Sequence, residues 1–228
     1  MKNRNALSLA ISAALLLGAT TATAHEAGDL IVRAGVASVQ PGSGSGPLNL
    51  NNSAIANSSA FAEDDESLGI TATYMLTDNW GIELLAATPF EHDITANTGA
   101  LGFGTINAGS TKHLPPTLSV QYFPMDNSSV VQPYVGLGVN YTLFFSEEAS
   151  STLQGAVAPA TLDIDDSIGL AAEVGVDYSI DDNWLVNASV WYADIDADAT
   201  FTFSNGATLS KKVEIDPVVF MLSVGYKF

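Results

Sequence analysis

The chain has 228 residues, of which 47% are hydrophobic and 14% charged, and its formal net charge is −18 at pH 7. Seven Lys and Arg residues cannot build the basic surface that nucleic-acid binding requires. The lack of cysteine excludes a disulfide framework and a thiolate zinc site. The length suits one all-β domain.

The amino terminus has the three parts of a secretory signal peptide. Lys2 and Arg4 precede an apolar run over residues 6–19, and residues 22–24 (Ala-Thr-Ala) form a cleavage site of the A-x-A type. The run is too short for a transmembrane helix, and no later stretch has roughly 18 consecutive apolar residues. We therefore predict a cleaved signal peptide over residues 1–24 and one mature domain over residues 25–228.

The rest of the chain alternates with the period of two that is typical of β-strands. From Val218 to Phe228 every second residue is apolar or aromatic, whereas the residues between them are smaller and more mixed. An apolar row of about ten residues that ends in aromatics is typical of a membrane-spanning barrel strand, and the alternative is the last strand of a soluble sandwich. A lone strand edge cannot exist in lipid, so the chain must supply the rest of a closed barrel. We predict eight strands, over residues 29–39, 63–76, 80–90, 113–123, 134–145, 164–179, 184–203 and 211–228.

Long and short connections alternate between these strands. Short turns follow the second, fourth and sixth strands, whereas the long connections are rich in Gly, Ser and Asn or lack a period. The long loops cover residues 41–61, 92–112 and 146–162. The predicted fold is therefore an all-β, eight-stranded antiparallel transmembrane β-barrel with short periplasmic turns and long extracellular loops. We predict that residues 25–228 form this outer-membrane β-barrel domain.

An eight-stranded barrel has an interior just wide enough for side chains or one slim ligand. Inward parity places Arg33, Glu83 and Glu173 in this lumen. Because an unpaired buried charge is costly, we predict a lumenal charge network among these three residues. The favoured interpretation is a plug that braces the barrel, and the alternative is a polar constriction that a ligand must pass or avoid.

The pattern inverts toward the outer ends of the seventh and eighth strands. Asp196 and Asp198 fall on the outer face there, while the inner face becomes apolar. The inward residues are Ile195, Ala197, Ala199, Phe201, Phe203, Val213, Ile215, Val219 and Met221. They predict a hydrophobic upper lumen, with a packed cap that binds no ligand as the alternative. Asp163 and Asp165 also fall on the inward parity, so either the wall is lopsided or a bulge resets the register.

Two features predict how a ligand would leave this lumen. Leu85 and Trp191 face inward where the apolar region meets the charged layer, and we predict that they narrow the lumen. Pro89, Pro115 and Pro116 remove ladder donors near the outer ends of the third and fourth strands. These prolines either mark strand ends or allow the wall to open sideways into lipid.

Patterns for catalysis and metal binding are weak. His92 and His113 lie beside loops and are interpreted as solvated histidines. Acidic clusters at 63–66, 163–166 and 194–198 lack EF-hand spacing and are interpreted as a solvated acidic surface rather than Ca²⁺ or Mg²⁺ sites. No GxSxG, HExxH, P-loop or GxGxxG pattern occurs in a fitting context. We predict no enzymatic activity, no catalytic residue, no metal site and no cofactor.

Several motifs, in order along nearly the whole mature chain, resemble the outer membrane protein W family. They are HEAG at 25–28, ELLAATPF at 83–90, HLPPT at 113–117, PYVG at 133–136 with NYT at 140–142, DNWLVN at 182–187 with VWY at 190–192, and the ending from 216 to 228. The resemblance implies an eight-stranded barrel in the outer membrane of a Gram-negative bacterium, with a hydrophobic channel associated with uptake of small apolar molecules, as in alkane-uptake porins. Leu85 and Trp191 lie inside matching motifs, so the resemblance implies a gate role for them.

The expected function is passive uptake of small hydrophobic molecules through the apolar upper lumen. The expected partners are outer-membrane lipid and lipopolysaccharide, a small hydrophobic ligand, and the barrel assembly machinery, which would bind through the C-terminal Phe228. The alternative is a structural, adhesive or receptor barrel with a plugged lumen. The loops at 41–61 and 146–162 show no match to the family and leave the ligand and any loop partner open.

Overall fold

The computed structural model describes residues 25–42, 46–62 and 64–228, so the predicted signal peptide lies outside the described residues. The described strands are β1 (Leu30–Gln40), β2 (Asn49–Leu50), β3 (Ser53–Ala54), β4 (Ser59–Ala62), β5 (Asp65–Met75), β6 (Trp80–Ala87), β7 (Phe90–Asn97), β8 (Thr105–Leu114), β9 (Thr117–Tyr122), β10 (Val131–Ala149), β11 (Ala160–Ile164), β12 (Ser167–Ser179), β13 (Trp184–Ala193), β14 (Asp196–Phe203), β15 (Thr208–Glu214) and β16 (Val218–Lys227). A 3₁₀ turn covers Gly99–Leu101 and a helix, α1, covers Ser151–Ala156. Among the described residues, no helix is long and apolar enough to span a membrane.

Eight strands close into the predicted antiparallel barrel. Their order is β12-β13-β16-β1-β5-β6-β9-β10, and β10 pairs back with β12. The first and last strands of the chain close the ring, with β1 and β16 paired from Ile31↔Lys227 to Gln40↔Val218. Closure leaves no open edge within this ring, as the hydrocarbon region requires.

The outer surface of the barrel is apolar. Leu137 and Ile168 are each 74% exposed, which in a bilayer places them against lipid tails. Aromatic pairs lie near the short-turn end, with the ring centroids of Trp80 and Tyr122 4.8 Å apart and those of Trp184 and Tyr226 5.0 Å apart. Such a girdle is typical of a membrane interface.

The long connections are more ordered than predicted. The interpretation of 41–61, 92–112 and 146–162 as irregular loops is wrong in part, because these segments contain strands and α1. One extracellular sheet has the order β11-β14-β15-β2-β3, and β4, β7, β8 and the upper part of β10 form another. Both sheets bury apolar side chains in one shared cluster. The stabilising contacts join distant segments, so no short sequence window shows them.

The predicted seventh strand, 184–203, is not continuous. It breaks after Ala193 into β13 and β14, and β14 pairs with β11 and β15 outside the barrel ring. At the break the carbonyl oxygen of Asp194 lies where a Cβ on Gly169 would stand, so only glycine permits this approach.

The predicted sixth strand breaks in the same way between β11 and β12. The break shifts the side-chain parity, so Leu162 and Ile164 are buried while Asp163 and Asp165 are exposed. Of the two alternatives that the sequence left open, the structure therefore shows the shift in strand register and not a lopsided cavity wall.

Candidate functional site

The lower lumen is filled by a polar layer centred on Arg33. Its guanidinium contacts Asp177 through two bonds, Nε–Oδ1 at 3.0 Å and Nη2–Oδ2 at 2.5 Å. Arg33 Nη1 donates to Glu83 Oε2 at 2.9 Å and to Thr73 Oγ1 at 2.7 Å. All four side chains are essentially inaccessible to solvent. A planar guanidinium bonded to two carboxylates fixes the layer geometrically as well as electrostatically.

Of the three residues predicted to form a charge network, the structure brings Arg33 and Glu83 into contact, whereas no hydrogen bond joins Glu173 to Arg33 among the described residues. Glu173 lies in the same layer, where it accepts hydrogen bonds from Ser119 at 2.7 Å and Gln121 at 3.1 Å. The second carboxylate bonded to Arg33 is Asp177 instead. Asp177 shares the inward parity of Glu173 on β12, so strand alternation was the signal that could have identified it.

His25 completes the polar layer from the periplasmic side. Its Nε2 lies 2.9 Å from Asp177 Oδ2, its ring meets Phe123 edge-on at 4.9 Å, and it is 1% exposed. Asn187 Nδ2 also donates to Asp177 Oδ1, at 2.8 Å. His25 precedes the first strand, so no strand period could have placed it. Beneath the layer a small apolar cluster lines the lumen: Ile31, Met75, Phe123, Tyr134 and Leu185.

A lower cavity of ≈40 Å³ lies directly above the polar layer. Leu85 and Trp191 both line it. Trp191 pairs with Glu173 across β12 and β13, and Leu85 pairs with Thr71 across β5 and β6. The two predicted gate residues therefore lie where the apolar space meets the polar layer.

An upper cavity of ≈70 Å³ lies between the two extracellular sheets. Of the predicted lumen residues, Phe201, Val213 and Ile215 line the upper cavity, Val219 and Met221 line the lower one, and Ile195 lines both. Phe203 is buried in the surrounding apolar cluster without lining either cavity. The predicted apolar upper lumen thus corresponds to two adjoining cavities. We call the boundary that both share the waist, which is lined by Val39, His113, Ile195 and Pro217.

The interpretation of His92 and His113 as solvated loop histidines is wrong. They lie on the β7–β8 hairpin, are 5% and 7% exposed, and stack on each other with ring centroids 4.9 Å apart. Phe90 and Phe144 pack against His113 at 5.4 Å and 5.7 Å. The outward-facing neighbours Glu91 and Lys112 are charged and exposed, so this hairpin stands above the lipid.

The pKa of His113 is lowered to about 3, mainly by burial and to a smaller extent by His92. The carboxylate of Asp65 raises this pKa and so offsets a small part of the shift. The folded hairpin therefore keeps this ring neutral in a range where the unfolded chain, with an ordinary pKa near 6.5, binds a proton. Local stability is full above pH 6.5 and is lost as the pH falls toward 3.

We therefore expect the β7–β8 hairpin to lose about 1.4 kcal/mol of local stability for each pH unit below 6.5. Amide hydrogen exchange in the hairpin, corrected for intrinsic rates, measures this between pH 7 and 5. His113→Phe keeps an aromatic ring in the stack and should remove the pH dependence. A hairpin equally protected at both pH values would contradict the prediction.

The hydrogen-bond ladder of the barrel wall has a gap beside the lower cavity. Ladder pairing between β6 and β9 ends at Leu85↔Thr117, and pairing between β7 and β8 resumes at Phe90↔His113. Among the described residues, no ladder pair or backbone hydrogen bond joins 86–89 to 114–116, where the three prolines predicted to remove donors lie.

Each side of the gap stays bonded to its other neighbour, with Thr88 N donating to Leu68 O and Tyr141 N to Pro116 O. Ala87 and Pro115, from opposite sides, both line the lower cavity.

The acidic residues of the break between β13 and β14 lie outside the lumen. The carboxylates of Asp194, Asp196 and Asp216 approach one another within 4.8 Å. Lys212 forms an ion pair with Asp196 at 2.9 Å, with both side chains exposed. Asp194 and Asp196 are exposed and Asp216 is half-buried, so the group faces the solvent.

The closed barrel, its apolar exterior and its aromatic girdle define an integral outer-membrane β-barrel protein. The family model described as the OmpW family matches residues 26–228. Outer membrane protein W of Vibrio cholerae serotype O1 is 48% identical, over 96% of this chain and 97% of its own length. The crystal structure of outer membrane protein OprG from Pseudomonas aeruginosa matches with a TM-score of 0.84 and 40% identity, covering 91% of this chain and 99% of OprG. The solid-state NMR structure of outer membrane protein AlkL in DMPC lipid bilayers matches with a TM-score of 0.68 and 25% identity, covering 93% of this chain and 96% of AlkL.

The chain belongs to the OmpW family. It is therefore a protein of the Gram-negative outer membrane and lies in contact with membrane lipid. These relatives are outer membrane barrel proteins rather than enzymes.

Proposed function

We propose that this protein is a passive channel through which small hydrophobic molecules enter the outer membrane from outside. The observation that carries the proposal is the pair of apolar cavities that adjoin at the waist. Among the described residues that line them there is no Asp or Glu, although the chain contains 25 acidic residues. Entry needs no energy source, because burial of apolar surface contributes roughly 25 cal/mol per Å².

The proposed route leaves the barrel sideways. Below the lower cavity, an apolar molecule would have to break the ionic bonds of Arg33. It would then have to displace the small apolar cluster beneath the polar layer. Beside the cavity, the segments 86–89 and 114–116 are not paired with each other, so no backbone ladder between them has to break. In this proposal Leu85 and Trp191 form the base of the cavity and turn the ligand toward the gap.

The test places a charge inside the upper cavity. Phe201→Glu puts a carboxylate among apolar side chains, whereas Thr202→Glu puts the same group on the adjacent, exposed position of β14. Because an isolated carboxylate in an apolar site costs several kcal/mol, we expect uptake of an apolar fluorescent probe by Phe201→Glu cells to fall to that of cells lacking the protein. Thr202→Glu should match the wild type. Heat-modifiable migration on a gel verifies that both barrels fold, and unchanged uptake by a folded Phe201→Glu barrel would refute the channel.

The second candidate is a structural, adhesive or receptor barrel whose extracellular strands bind a partner. The ordered two-sheet extension above the membrane favours it, because this extension offers a rigid surface. Deleting the β2–β3 segment would then abolish the phenotype while Phe201→Glu would not. Contact with lipopolysaccharide, and binding of the barrel assembly machinery to the exposed C-terminal Phe228, belong to either proposal.

A further inference from the structure

The waist between the two cavities contains one polar ring among apolar neighbours. Val39, Ile195 and Pro217 share the waist with His113. Any molecule that passes from the upper to the lower cavity must therefore pass the His113 imidazole.

Three of the other polar side chains that line the cavities, Asn140, Thr142 and Lys211, have partners within the protein. Asn140 Nδ2 donates to Thr117 Oγ1 at 2.9 Å, and Thr142 Oγ1 donates to Asn140 Oδ1 at 2.7 Å. Lys211 Nζ donates to the carbonyl oxygens of Gly46 and Ala60 at 3.1 and 3.0 Å. In contrast, Nδ1 of His113 is buried and has no hydrogen-bond partner among the described residues.

We propose that the channel prefers neutral amphiphiles, meaning apolar molecules that carry a single hydroxyl group, over pure hydrocarbons, and that His113 is the residue that selects them. This inference rests on the proposed channel function and names its substrate class. A neutral imidazole has one N–H donor and one acceptor nitrogen, and a hydroxyl group can satisfy either. An alkane at the waist can satisfy neither.

The ring stack allows the imidazole to present a nitrogen to a ligand. His113 lies between nearly parallel rings, at 21° to Phe90 and 15° to His92. Turning it by half a rotation about the Cβ–Cγ bond exchanges Nδ1 with Cδ2 and leaves the ring plane within the stack. A carboxylate ligand would need the imidazolium for charge pairing, and the lowered pKa keeps the ring neutral at physiological pH.

The experiment measures selectivity on the full barrel in lipid nanodiscs. 1-Hexanol and n-hexane are titrated at matched concentrations in the lipid phase, with ¹⁵N signals of the His113 ring and the Trp191 indole as reporters. We expect 1-hexanol to bind about 5-fold more tightly than n-hexane, which is the typical net contribution of one hydrogen bond, and to shift the His113 ring nitrogen signals. His113→Phe should abolish the preference and still admit hexane, while His113→Gln, which keeps a donor and an acceptor, should restore part of it.

Each outcome decides between the claims. Equal affinities in the wild type, or an unchanged preference in His113→Phe, would overturn the role of His113 and leave the channel intact. If neither probe perturbs Trp191 or His113, the apolar route itself is overturned. Heat-modifiable migration verifies folding, and His113→Leu provides a second apolar variant if His113→Phe does not fold.

Discussion

Replacing Arg33 with methionine is expected to lower the free energy of unfolding of the barrel by about 3–5 kcal/mol. Arg33 is bonded to Asp177 and Glu83, and all three side chains are at most 1% exposed. Removing the arginine takes away the cation that balances two buried carboxylates, and water cannot enter the filled layer freely to solvate them. Urea unfolding in lipid vesicles, followed by tryptophan fluorescence and heat-modifiable migration, measures the loss.

Lys212→Met is the matched control for this experiment. Lys212 also forms an ion pair, with Asp196, but both side chains are about half exposed and water already screens them. We expect little change in stability. A double variant, Arg33→Met with Asp177→Asn, should recover part of the loss, because it removes one of the uncompensated charges. Equal effects of Arg33→Met and Lys212→Met would contradict the proposed importance of the buried layer.

The second large effect concerns the route of exit. Bridging the gap in the wall with a thiol cross-link is expected to reduce apolar uptake to that of cells lacking the protein. Ala86→Cys and Pro116→Cys lie one position beyond the last pair, Leu85↔Thr117, so a short reversible bis-thiol reagent bridges the gap there. Ala86 is exposed on the lipid side, which keeps the bridge out of the cavity. The chain has no cysteine of its own, so the cross-link forms only between the introduced thiols.

Reduction of the cross-link should restore uptake in the same sample. The control pair, Asp198→Cys with Lys212→Cys, joins residues that are already paired between β14 and β15, and its cross-link should leave uptake unchanged. Uptake that persists through a bridged gap would show that the ligand passes Trp191 and the polar layer instead. That result would remove the sideways route while leaving the channel.

Much of the transmembrane fold could be predicted because lipid imposes a simple rule on it. Each spanning strand has one face toward hydrocarbon and one toward a narrow lumen, so alternation along the sequence reports directly on the structure. This rule correctly placed Arg33, Glu83 and Trp191 inside and Leu137 outside. It failed at the break between β11 and β12, which shifts parity without leaving a mark in composition, as Asp163 and Asp165 show, whereas the parity carries through the break between β13 and β14.

The features of the candidate site also divide into those that depend on one strand and those that depend on distant contacts. The sequence by itself determined the eight strands, their inward and outward faces, and the apolar character of the upper lumen, because each depends on neighbours within one strand. Only the tertiary structure decided that Asp177 and His25 complete the Arg33 layer, that His113 is buried at the waist, and that no strand ladder joins 86–89 to 114–116. These features depend on contacts between residues far apart in the chain, up to 152 positions for His25 and Asp177, and barrel closure alone brings them together.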